Sequence, residues 1–211
     1  MIDKMPSIAI PPAGNELPSD GNRLFPVFLK LENLSLLIVG GGYVGMEKLS
    51  VVLQNAPGGK IRIVASHISD EIRDLVAGMD NVVLIERPYQ SSDIDDADIV
   101  FAAVNEASVS RRVSSDAKAK GKLVNAADKP ALCDFYLGSI VQKGNLKIAI
   151  STNGKSPTIA KRVKELLNET LPDEIDELLG NMQLIRNKMS GDFAEKVRQL
   201  NEITKKLSQD Q

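Results

Sequence analysis

The sequence predicts an α/β protein: a Rossmann-like parallel sheet first, a small strand-containing region in the middle, and helices at the end. Three observations lead there. The apolar run Leu36-Leu37-Ile38-Val39 passes into glycines at Gly40, Gly42 and Gly45, and then into a helical pattern with Leu49, Val52 and Leu53 on one side. Short apolar runs then alternate with amphipathic ones as far as Asp128. Beyond Asp128 the alternation stops, and two short runs flank a Gly-Asn turn.

The elements follow in order. Residues 1–22 hold Pro6, Pro11, Pro12 and Pro18 among small and polar residues, and read as a poorly ordered leader. Phe25-Pro26-Val27-Phe28-Leu29 is expected to run extended, on the rim of the sheet or beside a cofactor. Strand 36–39 carries apolar residues at every position, as a strand buried on both faces does. In the turn after it, Gly40 permits the tight bend, Gly42 lets a pyrophosphate approach the backbone, and Gly45 lets helix and strand pack closely. The unpaired amides of the helix start face the phosphate charge. Helix 44–55 ends at Asn55-Ala56-Pro57-Gly58-Gly59. Strands are expected at 61–65, 82–85, 99–104 and 123–126, with helices at 69–78 and 108–120 and a short helical turn near 91–97. Ser69 is placed to cap the second helix. This alternation demands a parallel sheet.

An acid usually stands about 20 residues beyond the glycines, where it takes the ribose hydroxyls. Here the second strand ends Val64-Ala65-Ser66-His67, with no acid and no Arg. Ser66 is suited to a ribose hydroxyl and His67 to flanking it. The residues alone do not choose between NAD and NADP.

After Lys129-Pro130 the chain is expected to form extended segments at 135–137, 139–142 and 146–150, the last two a hairpin about Lys143-Gly144-Asn145. These do not fit a βαβ unit and read as a separate small layer suited to pairing with another chain. Ser151-Thr152-Asn153-Gly154-Lys155-Ser156-Pro157-Thr158 then opens a helix at 159–168, with Ser156 as cap and Pro157 at its first position. With Lys155, Lys161 and Arg162 nearby, this helix start suits carboxylates or phosphates. The stretch 173–211 reads as two helices separated at Gly191, with apolar stripes that end at Leu207. The divisions expected are therefore a leader at 1–22, a dinucleotide-binding domain at 23–131, a dimerisation region at 132–170 and a helical tail at 171–211.

Composition narrows the function. Of 211 residues, 43% are hydrophobic and 26% charged, with a net charge of −2, which gives nucleic acid no electrostatic foothold. Aromatic residues are 4% and Trp is absent, which argues against base-stacking platforms. The single cysteine, Cys133, rules out an intrachain disulfide and points to a reducing, cytoplasmic setting. Cys133 and His67 are too few for a Cys/His zinc site, so no metal site is expected. No apolar run reaches the length of a membrane span.

The chemistry turns on Asn125-Ala126-Ala127-Asp128-Lys129-Pro130, at the carboxyl end of the fifth strand, the edge where doubly wound sheets bind ligands. A carboxylate at Asp128 can take a proton while a hydride leaves a substrate. Taken together, Phe25-Pro26-Val27-Phe28-Leu29, the run LLIVGGGYVGMEK from Leu36, NAADKP from Asn125 and ISTNGKSPTIAKRVKELL from Ile150 resemble the precorrin-2 dehydrogenase family, the dehydrogenase/ferrochelatase component of siroheme synthesis. The resemblance runs in order from about Leu24 to about Leu171.

The resemblance implies NAD-dependent oxidation of precorrin-2 to sirohydrochlorin. It puts the dinucleotide loop at Gly40 to Gly45, with Tyr43 and Val44 at the pyrophosphate, the second-strand contact at Ser66 and His67, and the essential aspartate at Asp128. Val104 and Asn105, where the fourth strand ends, complete the cofactor candidates. It implies a homodimer whose central strands interlock, which suits the hairpin. Precorrin-2 bears many carboxylates; Asn153, Gly154, Lys155, Ser156 and Lys129 are the candidates to hold them. Some members also insert ferrous iron, others only oxidise, and nothing in these residues argues for chelation. Larger relatives fuse a methyltransferase domain, which this chain is expected to lack. Gly138 stands where the family often has proline, and Ser139 matches a position phosphorylated in some relatives. A regulatory NAD-sensing module without catalysis is the alternative; Asp128 and the second anion-binding helix start favour the enzyme.

Overall fold

A computed structural model describes residues 21–189 and 193–204. Most of the expected leader, Gly191 and Leu207 lie outside the described residues. The parallel sheet is built from β1 (Ser35–Gly41), β2 (Lys60–Ile68), β3 (Val82–Glu86), β4 (Ile99–Ala102) and β5 (Leu123–Ala126). Its order is β3-β2-β1-β4-β5, every neighbouring pair parallel. The strand that carries the glycines is thus central, and the order reverses beside it, which opens a crevice at its carboxyl end.

Alternation along β1 builds the core. Leu36 and Ile38 point to one face, onto Leu49 and Val52 of α1 (Tyr43–Asn55) and Ile61 and Ile63 of β2. Leu37 and Val39 point to the other, onto Val64, Val100, Val113 of α3 (Ala107–Ala119) and Val124. Leu36 through Val39 are all at most 2% exposed. The unbroken apolar run is the price of helices on both faces. The remaining helix of this layer, α2 (Asp70–Leu75), is shorter than expected; Ser69 is its N-cap residue but makes no side-chain cap bond.

Two expected extended segments are not strands. Phe25-Pro26-Val27-Phe28-Leu29 pairs with nothing in the sheet and is largely exposed, Phe25 at 85%. An extended sequence names no partner, and Pro26 lacks an N–H for a ladder. Residues 135–137 are also irregular. Here the chain seals the outer side of β5 instead. Asp134 donates its amide to the Val124 carbonyl (2.8 Å) and accepts from the Val124 amide through Oδ2 (3.1 Å). Asn125 Nδ2 donates to the Phe135 carbonyl (2.9 Å), and the Phe135 ring meets Phe101 edge-on at 5.7 Å.

The second region holds the antiparallel hairpin β6 (Ser139–Lys143) and β7 (Leu146–Ile150), then α4 (Pro157–Thr170), α5 (Ile175–Lys188) and α6 (Phe193–Thr204). Gly144 turns the hairpin at φ 55°, and a Cβ there would lie 2.0 Å from the Asp176 carboxyl carbon. Asp176, in the first turn of α5, accepts from the Asn145 amide at 2.6 Å, so the helix start clamps the turn. Lys147 Nζ donates to Asn55 Oδ1 (2.9 Å) and ties the hairpin to the end of α1.

Candidate active site

The glycine turn is shaped by close approaches. Gly40 has φ 124°, and a Cβ on it would stand 2.1 Å from the Ala103 carbonyl oxygen. A Cβ on Gly45 would stand 2.2 Å from the Gly40 carbonyl oxygen. Gly42 is different: a Cβ there would meet nothing within 4 Å, so the space over its backbone is open. Gly42 is the N-cap of α1 and offers no side-chain cap, and its carbonyl accepts from Met46. The helical ladder therefore starts at Met46 and leaves the preceding amides unpaired by the helix, a ready anion site.

These amides open on a cavity of about 540 Å³ at the carboxyl edge of the sheet. Of the cofactor candidates, Gly40, Gly42, Tyr43, Val44, Ser66, His67, Val104 and Asn105 line it, and Gly45 packs beneath the turn. Glycine cradle, open amides and crevice together fit a dinucleotide.

Several lining residues were given no individual role by the sequence: Gly41, within the loop, and Pro88, Tyr89, Glu106, Val109 and Arg112. Gly41 is needed because β2 bulges; its register with β1 jumps from Val39↔Val64 to Gly41↔Ile68, and a Cβ on Gly41 would lie 2.4 Å from the His67 carbonyl oxygen. Val109 and Arg112 sit one turn apart on α3, and that spacing was the available signal. Arg112 lies 5.6 Å from the centre of the Tyr89 ring. Tyr89 and Ser91 both donate to Asp116 Oδ2, at 2.8 and 2.6 Å. Burial, reinforced by Asp116, pushes the Tyr89 phenol far up, so it stays a donor. Burial also pushes the Asp116 carboxyl up, but the hydrogen bonds from Ser91 and Tyr89 outweigh it and hold the group below its ordinary range.

The tip of β2 has no acid of its own, yet a carboxylate stands beside it. Glu86, at the end of β3 and in register with Ala65, accepts from the Ile68 amide (2.9 Å) and from Arg73 (2.7 Å), with His67 Nδ1 at 3.6 Å. The Ile68 amide first, and then Arg73, hold the Glu86 carboxyl below its ordinary value.

Asp128 lies just past β5 and is exposed. Its φ of 57° puts it in the left-handed region, where a non-glycine residue costs about 1–3 kcal/mol and Asp is among the better tolerated. Its neighbour Ala127 donates to the Ala102 carbonyl (3.1 Å), so the Asp128 turn hangs from the end of β4. Asp128 is not among the residues lining the cavity. Lys129 turns its ammonium onto Ser110 Oγ at 2.9 Å.

The second anion-binding start is well built locally. Asn153 (φ 55°) and Gly154 (φ 73°) are both left-handed. Ser156 Oγ accepts from the Ile159 amide (3.2 Å) and caps α4. Asn153, Gly154 and Lys155 are exposed, and within this chain the loop stands apart from the cavity lining. Among the described residues no helix is long and apolar enough to cross a membrane, and no three His, Cys, Asp or Glu converge as metal ligands.

A family model for NAD(P)-binding matches residues 27–139, and one described as sirohaem biosynthesis protein central matches residues 143–170. A siroheme synthase from Pseudomonas fluorescens (strain SBW25) is 34% identical over 169 residues, 80% of this chain and 36% of that protein. One from Psychrobacter sp. (strain PRwf-1) is 34% identical over 174 residues, 82% of this chain and 34% of that protein. The chain thus spans about a third of the length of these curated relatives. Among solved structures it is similar to SirC, precorrin-2 dehydrogenase, with a TM-score of 0.69 and 25% identity over 85% of this chain and 89% of SirC.

Proposed function

Because the chain belongs to the NAD(P)-binding family of siroheme biosynthesis, we propose that it oxidises precorrin-2 to sirohydrochlorin with NAD, as a cytoplasmic homodimer. The observation that carries this reading is the likeness to SirC, a precorrin-2 dehydrogenase, which covers 85% of this chain. The cradle geometry supports it from below. The open backbone of Gly42 and the free amides of Tyr43 and Val44 hold the pyrophosphate, Ser66 and His67 meet a ribose, and Val104 and Asn105 border the far end. Bound NAD supplies the hydride acceptor. Asp128 takes the proton that the macrocycle gives up, on a carboxylate oxygen. Asn153 and Gly154 present an exposed loop, Lys155 an ammonium and Ser156 a hydroxyl to the substrate carboxylates; the Asn153, Lys155 and Ser156 amides are bonded within the loop itself.

Residues 23–131 act as the dinucleotide-binding domain, 132–170 as the dimerisation region and 171–211 as a helical tail; the end of the second family model at residue 170 supports the last boundary, while the first model runs past 131 to residue 139. A homodimer is supported by what the second region leaves uncovered: Ile159 and Leu166 on α4 and Leu184 on α5 are each more than half exposed.

The test is the NAD-dependent change of absorption as precorrin-2, generated in place, becomes sirohydrochlorin. Wild-type protein turns over; Asp128→Ala does not, and still binds NADH by fluorescence. Undiminished turnover in that variant removes Asp128 from the chemistry. Tight NADH binding with no turnover in the wild type favours the NAD-sensing module instead. Cobalt insertion into sirohydrochlorin without NAD, followed against the uncatalysed rate, decides chelation.

A further inference from the structure

Asp128 sits in a backbone conformation that its own side chain does not favour, so something outside it must hold it there. The backbone on both sides is tied: the Ala127 amide to the Ala102 carbonyl at 3.1 Å, the Lys129 amide to the Ala126 carbonyl at 3.2 Å. Another tie is a side chain. Lys129 reaches back to α3 and donates from Nζ to Ser110 Oγ at 2.9 Å. Ser110 is fully buried, and its hydroxyl donates to the Val104 carbonyl at 3.2 Å.

A hydroxyl has one proton to give. With that proton on Val104, the Ser110 oxygen is left as an acceptor, which is what an ammonium requires. The chain from Lys129 through Ser110 to Val104 therefore runs in one direction, and a charged donor at its head polarises both bonds. Val104 lines the cofactor cavity. One half-buried lysine thus straps the turn that carries Asp128 to the loop that borders the cavity.

We propose that Lys129 is a positioning residue that fixes the turn carrying Asp128 at the carboxyl edge of the sheet, tied to the cavity-lining Val104 through the buried hydroxyl of Ser110, with its ammonium directed inward and not at the substrate. This rests on the reading of Asp128 as the proton acceptor.

The experiment compares Lys129→Met, Ser110→Ala, the double variant and Asp128→Asn in the full chain. Three quantities are read: steady-state oxidation of precorrin-2, NADH affinity by fluorescence, and amide hydrogen exchange across 126–130. Lys129→Met and Ser110→Ala are each expected to lower kcat about tenfold, since small misplacements of a reacting group cost that much or more. KM for precorrin-2 and NADH affinity should stay within about twofold, while exchange across 126–130 quickens. The double variant should be no worse than either single one, because both cut the same strap. Unchanged kcat in Lys129→Met overturns the proposal. So does a raised KM for precorrin-2 at constant kcat, the mark of a substrate contact, and so does NADH affinity lost in step with kcat, the mark of general damage. Asp128→Asn separates the two levels: full turnover there defeats the reading of Asp128, whereas its inactivity beside a fully active Lys129→Met defeats the strap alone.

Discussion

The sheet region and the hairpin–helix region are held together by different means. In the first, both faces of the sheet are covered and the two core clusters hold residues such as Leu37, Ile38, Leu49, Ile63 and Ile94 at zero exposure. From residue 132 onward, Val141 and Ala160 are the buried residues among those described. Polar ties take over there: Asp176 on the hairpin turn, Lys143 with Asp173, and Lys147 on Asn55. Ties of this kind, exposed or only partly buried, contribute little beside apolar burial. The lesson is that the first region has a core of its own, while the second buries few residues and leaves apolar side chains such as Ile159, Leu166 and Leu184 uncovered.

The sharpest break of this contrast is truncation in the core. Leu37→Ala, at a fully buried site, should cost about 2–5 kcal/mol in urea unfolding. Ile148→Ala, on the half-buried β7, should cost under about 1 kcal/mol at concentrations where the chain is a single copy. Equal losses would abolish the distinction between the two regions.

A smaller effect sharpens the electrostatic side. Asp93 is 5% exposed and makes two hydrogen bonds with Arg87, at 2.8 and 2.5 Å. The Arg87 guanidinium, aided by the Gln90 amide, holds its carboxyl below the ordinary 3.8 although burial opposes this. A carboxyl depressed by folding contributes stability that is full above the unfolded value and is lost as pH falls through the folded one. Asp93→Asn should therefore lower stability by about 2 kcal/mol at neutral pH. The gap to wild type should begin to narrow near pH 3.8 and close only as pH falls through the lower folded value, read as urea midpoints across the acid range.

The smallest effect on folding should carry the largest effect on assembly. Leu166→Glu, at a position 60% exposed on α4, should change the unfolding free energy of the single chain by under about 0.5 kcal/mol. Sedimentation should nonetheless shift from the proposed dimer toward one chain of 22.9 kDa. An unshifted dimer would place the interface elsewhere.

Much of the sheet region could be read from the sequence because its signals are local. Four consecutive apolar residues, three spaced glycines and a period of alternation fix β1, the turn and α1 without reference to any other part of the chain. The failures are the features that need a partner. Phe25-Pro26-Val27-Phe28-Leu29 has the composition of a strand, but pairing depends on which border of the sheet is free, and composition does not record that. Residues 135–137 failed for the same reason, since Asp134 and Phe135 spend their backbone on β5. In the candidate site, Glu86 was missed because the acid came from β3 and not from the expected tip of β2, and Gly41 because the bulge that requires it is a register shift. The left-handed turn at Asp128 leaves no mark in the sequence beyond an aspartate before Lys-Pro.

The seal on β5 reaches further than the chain itself. Val124 is occupied by Asp134, and Ala126 both donates to and accepts from the thiol of Cys133, so this flank offers an incoming strand no free ladder positions there. The strand order leaves β3, with Val83 half exposed, as the opposite flank. Of the two flanks of the parallel sheet, the one at β5 is therefore closed to an incoming strand, and β3 is the flank left open to edge-to-edge pairing.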